Sequence, residues 1–316
     1  MGMLCAVPGI HLGHVTLGDS GVTVVLAPAG ACAGVDVRGG GPGTRETDLL
    51  EPHNTVQQVH AVTLCGGSAY GLAAADGVMY ALEERGIGFP VLGPGKKGPI
   101  VPIVPAAVIF DLLVGDPRNR PTRKHGQEAV ENALTGRDKH LSGSIGAGTG
   151  ATAGRLRGGF GQHSITVGEY VVAAGIVANP VGEVIDPATG QLYGAPGGEV
   201  VDVDKLAALP VGGVDLNTTI GVIATNAPVT KAQAKRLALT GHDGLARAVR
   251  PSHTPMDGDT LFALSTGDGA GVDPDVLATL CAAAADCVQG AIIDAITTAS
   301  PGLGLTTYQE LIPHEL

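Results

Sequence analysis

The chain reads as an α+β sandwich, and three observations predict it. Segments rich in β-branched residues arrive in blocks with only a few helical stretches between them, which favours a sandwich over a regular strand–helix alternation. Hydrophobic residues make up 44% of the 316 residues, yet aromatics are 3% and Trp is absent, so the enclosed core is aliphatic. The 50 glycines follow no G-x-y period, so they mark tight turns and close backbone approach rather than a collagen or low-complexity repeat. Length alone fits one large domain or two small ones.

The elements follow in order. "GVTVVLAP" (21–28), "CAGVDVRG" (32–39) and "VHAVTLCGG" (59–67) are apolar, β-branched strands. The third runs into "SAYGLAAADGVMYALEERG", where Leu72, Ala75, Met79 and Leu82 keep helical spacing and Gly86 is a stop. After the loop "LGPGKKGP" come a strand, "IVPAAVIFDLLVG", a polar loop, and a short helix, "GQEAVENALTG". Glycine crowds again over 143–164 and continues as loop through "GRLRGGFG"; "EYVVAAGIVANPVGEVID" is then a buried strand closing in a turn at Asn179-Pro180. Residues 187–213, rich in Gly, Pro and Ala, form the best linker candidate. Beyond it "TTIGVIAT" is a core strand, and Thr230 with Gln233 sets a capping box ahead of "KAQAKRLALTGHDGLARAV". "DTLFALSTG" is the next strand, and Asp273-Pro274 opens a long helix to about Ala299.

Nineteen basic against 30 acidic residues leave a net charge of −11. Such a field repels phosphate backbones and anionic lipid, so neither nucleic acid nor membrane is an expected partner. No apolar run of about 18 residues is evident and the N-terminus lacks the basic and apolar regions of a signal peptide. Five cysteines with no C-x-x-C read as reduced core thiols, so a cytoplasmic protein is expected.

Four motifs bear on chemistry. In "VDLNTTIGVIATNAP" (214–228) a hydroxyl pair, Thr218 and Thr219, follows Asn217 at the mouth of a core strand. That is either a strand beginning in a turn, or an Asn217–Thr218 bond meant to be cut so that Thr218 becomes an N-terminal nucleophile. "CGGSAYG" approaches the G-x-S-x-G nucleophile elbow, but Tyr70 stands where the second glycine belongs. Ser68 therefore serves better in a turn, with Gly67, whose N–H groups face an oxyanion or carboxylate, and with Tyr70 aimed at the same place. "GTGATA" (148–153) meets the loose dinucleotide pattern without the strand and helix it requires. In "MDGDT", Asp257 and Asp259 sit two apart at the start of a strand, which suits an Asp-Gly turn, a catalytic pair on one face, or a metal site. His11 and His14, as H-x-x-H, lack further ligands at metal-site spacing.

Taken together, "GVTVVL", "RGGGPGTRETDLL", "VHAVTLCGGSAYGLAAADG", "VPAAVIFDL", "GAGTGATAG" and "NTTIGVIATNA" resemble the self-processing peptidase family of the D-aminopeptidase/esterases, β-peptidyl aminopeptidases and nylon-oligomer hydrolase. The likeness runs from "VPGIHLGH" to "DTLFALSTG", and the Asn-Thr-Thr junction most resembles the nylon-oligomer branch and its actinobacterial relatives. It implies a single-domain, four-layer αββα sandwich of the N-terminal-nucleophile type. It further implies self-cleavage into residues 1–217 and 218–316, assembly into a homo-oligomer of processed heterodimers, small peptides or linear amides as substrates, and neither metal nor cofactor. By the same resemblance Thr218 is the nucleophile, Asn179 donates to the oxyanion, and Asp257 and Asp259 orient the Thr218 amine and hydroxyl. Tyr70, Gly67 and Ser68 line the site. Relatives commonly carry a lysine where this chain has "ATAGRLRGG", so Arg155 or Arg157 takes its place; an arginine holds positive charge but shuttles no proton. The resemblance leaves two alternatives: an acyltransferase of the ornithine acetyltransferase type, and an unprocessed, non-catalytic oligomeric relative.

Overall fold

A computed structural model describes residues 2–210 and 216–313. Nine strands join in one continuous hydrogen-bonded system: β1 (His11–Thr16), β2 (Gly21–Val37), β3 (Thr44–Arg45), β4 (Gln58–Cys65), β5 (Ala106–Val108), β6 (Gly159–Val167), β7 (Tyr170–Ala178), β8 (Ile220–Thr225) and β9 (Thr260–Ser265). Their order is β6-β7-β8-β9-β2-β4-β5-β3, with β1 also on β2. The long β2 is the hinge. Its first half pairs with β1 and β4, its second half pairs with β9, and a register shift separates Leu26 from Ala31. One strand thus serves two layers, as a bulge allows.

Period-2 alternation sorts the apolar side chains into three cores. Val25, Val62 and Leu64 of one layer meet Val177, Val222 and Phe262 of the other between the sheets. On the outer face of the first layer, Val22, Val24 and Leu26 pack on helices α1 (Ala73–Glu83) and α2 (Arg123–Thr135). Beyond the second layer, Ile223, Leu261 and Ala263 pack under α4 (Lys231–Ala248) and α5 (Pro274–Thr297). The result is the expected αββα sandwich, closed without a tryptophan because small residues let the layers approach. A Cβ on Gly77 would stand 1.8 Å from the Arg123 carbonyl, and one on Gly126 1.9 Å from that of Ala74, so α1 and α2 cross at reciprocal glycines.

The sequence misplaces several elements for identifiable reasons. The strands expected at 21–28 and 32–39 are one strand. β1 was not foreseen, and β6 begins at Gly159 inside the segment expected as loop. There a Cβ on Gly161 would meet the Ala291 carbonyl at 2.1 Å, so glycine serves a strand lying flat against α5 rather than a turn. Only Ala106–Val108 of the 103–115 run is strand. The linker candidate is packed: Leu192, Val201 and Leu206 are buried in the outer core, and Val203–Ala208 forms α3. Residues 211–213 of that segment, and the first two of the quoted Asn-Thr-Thr motif, lie outside the described residues. Contrary to the expectation of no such segment, α5 is long and apolar enough by composition to cross a membrane; half of its apolar window is buried, against β6, β7 and α4. The five cysteines are free thiols, Cys65 and Cys287 among them fully buried.

Two buried histidines make stability depend on pH. Burial pushes His14 on β1 down to about 3 and, with the neighbouring His253, pushes His242 on α4 down to about 4. Both lie below the unfolded value of about 6.5, so their contribution is present above pH 6.5 and is lost as pH falls toward 4. Asp111 opposes them. Burial raises it to about 6, so its contribution is full below its unfolded value and is lost as pH rises through 6. Over the shared window unfolding takes up roughly one net proton, so stability should drop by about 1.4 kcal/mol for each unit that pH is lowered. Urea unfolding at pH 7 and pH 5 checks this. His14→Asn, which can keep the 2.8 Å bond to Thr23 Oγ1, should flatten the dependence; an unchanged slope would exclude His14 as its source.

Candidate active site

Strand register brings the site together. Ile220 pairs with Val177 across β8–β7 and with Thr260 across β8–β9, and Thr260 pairs with Val37 across β9–β2. The residues just beyond these pairs therefore stand in a row at one end of the sheet: Asn179 after β7, Thr218 before β8, Asp257 and Asp259 before β9, and Gly39 to Gly41 after β2. Gly41 N–H donates to the Asp257 carbonyl at 2.7 Å, and Arg38 N–H to that of Asp259 at 2.9 Å. These bonds tie the loop to the turn.

Thr218 is 4% exposed and stands at the wall of a cavity of about 280 Å³, lined also by Asn217, Leu216, Ser68, Ala69, Phe110 and Met256. Its hydroxyl lies 2.5 Å from the Asn217 carbonyl oxygen, and its N–H donates to the Asn179 carbonyl at 2.7 Å. The next residue is held by Asp259, whose Oδ1 accepts the Thr219 N–H at 2.8 Å. The Asn217 amide donates to the Pro180 carbonyl at 2.8 Å and to Thr152 Oγ1 at 3.2 Å. Both sides of the Asn217–Thr218 bond are therefore fixed. A Cβ on Gly258 would stand 2.8 Å from Thr218 Oγ1, so glycine there leaves the hydroxyl its room.

Asp257 is a strut. Its Oδ1 accepts the Val181 N–H at 3.0 Å, and its Oδ2 accepts the Thr254 N–H at 3.0 Å and hydroxyl at 2.7 Å. It is 1% exposed; burial first, then the charge of Asp259, raises its pKa. The Asp-Gly turn expected here is not formed: the turn runs through Thr254–Asp257, closed by the Asp257 N–H on the Thr254 carbonyl at 3.1 Å, and the two carboxylates bond to different segments, Asp257 to Val181 and Thr254 and Asp259 to Thr219.

Other expected residues stand differently. Asn179 meets Thr218 through its backbone carbonyl, while its side chain accepts the Thr152 N–H at 2.8 Å and donates to the Phe110 carbonyl at 3.3 Å. Gly67 and Ser68 adopt left-handed backbone, at φ 80° and 52°. Their N–H groups are already bound, Gly67 to Asp111 Oδ1 at 2.6 Å and Ser68 to the Ile109 carbonyl at 3.0 Å, so neither faces an oxyanion. Among the described residues no histidine or carboxylate bonds to Ser68. The Tyr70 ring does not line this cavity; it is 61% exposed, with Arg120 stacked 3.9 Å from its centre. Arg155 is paired with Glu183 at 2.9 Å, and buried Arg157 donates to the Thr149 carbonyl at 3.2 Å, so neither bonds to Thr218 or to the two aspartates. Sequence reasoning missed Thr152, which holds Asn179 and Asn217 from inside the "GTGATA" stretch set aside as a failed nucleotide motif. It also missed Asp111, which accepts from Gly67 and from Ser20 Oγ (2.8 Å) beneath the glycine turn.

Comparisons with known proteins identify the family and the fold. A family model described as peptidase family S58 matches residues 3–308. An uncharacterized aminopeptidase of Mycobacterium tuberculosis is 44% identical over 348 aligned positions, covering 99% of this chain and 98% of that protein. A 6-aminohexanoate-oligomer endohydrolase of Paenarthrobacter ureafaciens is 34% identical, over 83% of this chain and 74% of that protein. Among solved structures, a β-aminopeptidase of Burkholderia sp. superposes with a TM-score of 0.75 at 23% identity, covering 98% of this chain and 92% of that one. An L-aminopeptidase D-Ala-esterase/amidase of Ochrobactrum anthropi, described as a variant of the Ntn hydrolase fold, gives 0.74 at 20% identity, over 98% of this chain and 92% of that one. With one family model spanning nearly all of the chain, and relatives of 44% identity along almost their whole length, this protein belongs to peptidase family S58 and is a hydrolase of peptide or amide bonds.

Proposed function

We propose that the protein cuts its own Asn217–Thr218 bond and that Thr218, freed as an N-terminal residue, is the nucleophile of the mature hydrolase. The observation that carries this reading is the Thr218 hydroxyl placed 2.5 Å from the Asn217 carbonyl oxygen at a cavity wall, with both flanking residues held. Oγ1 adds to the Asn217 carbonyl carbon, the C–N bond breaks, and the proton passes to the departing nitrogen. The resulting ester is hydrolysed by water, separating residues 1–217 from residues 218–316.

The new α-amine has a reference pKa of about 7.7–8.0. It can take the proton of its own hydroxyl near neutral pH, which the amide nitrogen of the uncut chain cannot do. Thr218 Oγ1 then attacks a substrate carbonyl, the substrate amine leaves with that proton, and water releases the acyl group. The Asn179 carbonyl would receive the α-amine as it now receives the amide N–H, and Asp259 would hold the peptide that follows. Arg155 enters this scheme only as fixed charge at a distance. The substrates are small peptides or linear amides, the class named for the 6-aminohexanoate-oligomer relatives, and the working unit is an oligomer of processed heterodimers.

Intact mass with N-terminal sequencing tests the reading. Fragments of 217 and 99 residues, the smaller beginning Thr-Thr-Ile-Gly, are expected. A chain that stays whole while hydrolysing amides would overturn it.

A further inference from the structure

Behind Asp259 stands a residue that neither the motif reading nor the mechanism above uses. His253 reaches one carboxylate oxygen twice: Nδ1 lies 2.8 Å from Asp259 Oδ2, and the His253 backbone N–H donates to that oxygen at 3.2 Å. The other oxygen holds the Thr219 N–H. A line of contacts therefore runs from an imidazole, through a carboxylate that is 1% exposed, to the residue beside the nucleophile.

The tautomer follows from the partner. An ionised carboxylate only accepts, so Nδ1 carries the proton and Nε2 is left with a lone pair, buried without a partner. His242 braces the ring edge-on at 4.8 Å, with its own Nε2 at 3.2 Å from the Asp36 carbonyl and 3.5 Å from the Asp36 carboxylate. Arg38 closes the set on Asp36 at 2.7 Å. The backbone of His253 is left-handed, at φ 55°. A non-glycine residue keeps that conformation only where its surroundings hold it there. Here two contacts to one oxygen, from Nδ1 and from the backbone N–H, accompany it.

We propose that His253 is a positioning residue for the Thr218 reaction: its two donors clamp Asp259 Oδ2 so that Oδ1 keeps the Thr218–Thr219 peptide, and with it the nucleophile, in line with the carbonyl attacked. This rests on the reading of Thr218 as nucleophile.

The discriminating pair is His253→Gly and His253→Asn, each tested for self-cleavage rate, kcat, KM and thermal midpoint. Glycine accepts the left-handed backbone and removes the imidazole donor. Asparagine also accepts it and places an N–H close to where Nδ1–H stood. His253→Gly is expected to slow cleavage and lower kcat by about 100-fold, what a misplacement of roughly 1 Å costs, with KM unchanged. His253→Asn is expected to recover most of that loss. Where the glycine variant does not fold, His253→Ala, which removes the imidazole donor without placing a second carboxyl against Asp259, takes its place.

Wild-type rates in the donor-free variant would overturn the proposal. So would equal losses in the asparagine and donor-free variants, or a loss that appears only as a lower thermal midpoint. Failure of the underlying reading looks different: the wild-type chain itself stays whole, or Thr218→Ala still turns over.

Discussion

Thr218→Ala is expected to remain a single chain of 316 residues and to lose turnover by a factor on the order of 10⁶, the scale seen when a hydrolase loses its nucleophile. The reason is double. Without Oγ1 no hydroxyl remains beside the Asn217 carbonyl to add to its carbon, so the bond is not cut; and without the cut no α-amine exists to serve as base. The fold should survive, because Thr218 contributes one hydroxyl and one methyl, and losing them costs about 1 kcal/mol against its neighbours. Thr218→Ser separates the two requirements. It keeps the hydroxyl and loses the methyl that restricts χ1, so the chain should still be cut, but more slowly. Mass spectrometry over time, with amide hydrolysis assayed on the same samples, checks both variants. A Thr218→Ala protein that is cut at residue 217 would remove Thr218 from the mechanism.

Asp257→Ala is expected to have the largest effect on stability. Three half-buried donors, the N–H groups of Val181 and Thr254 and the Thr254 hydroxyl, converge on this one buried carboxylate. A hydrogen bond to a charged group contributes about 1.5–3 kcal/mol net, less where the donor regains water, so the loss should reach about 3 kcal/mol. The same carboxylate joins the segment after Asn179 to the turn that carries Asp259, so its removal should also slow self-cleavage. Asp257→Asn retains one acceptor oxygen and should lose less on both counts. Denaturant midpoints measured beside cleavage rates decide the matter. An alanine variant as stable as the wild type would mean that the strut carries no load.

How much of this was legible beforehand differs from element to element. β8, β9, α1, α4 and the start of α5 follow from apolar periodicity, the Thr230–Gln233 capping box and Asp273-Pro274, all local signals. β6 was lost because glycine at 159 and 161 signals a turn to a local reading, whereas here it lets a strand lie against α5. The linker was misjudged because Gly, Pro and Ala describe chain flexibility and not what Leu192, Val201 and Leu206 bury against.

The site divides the same way. Asn217-Thr218 and Asp257-Gly-Asp259 stood out because each carries its chemistry within a few consecutive residues. Thr152, His253 and Asp111 did not, because each acts on a residue distant in sequence or folded onto it by a turn: Thr152 on Asn179 and Asn217, His253 on Asp259, Asp111 on the Gly67 turn. Arg155 and Tyr70 erred in the other direction. They are neighbours of motif residues in the chain whose side chains find partners elsewhere, in Glu183 and Arg120.

By itself, then, the sequence determined the layer type, the aliphatic core and the bond on which the proposed site centres, because periodicity, composition and a short motif are properties of neighbouring residues. Which oxygens face which hydrogens was decided by the tertiary structure alone. It is the register of β7, β8, β9 and β2 that sets Asn179, Thr218, Asp259 and Gly39 side by side, and register is fixed by burying alternate faces of strands far apart in the chain.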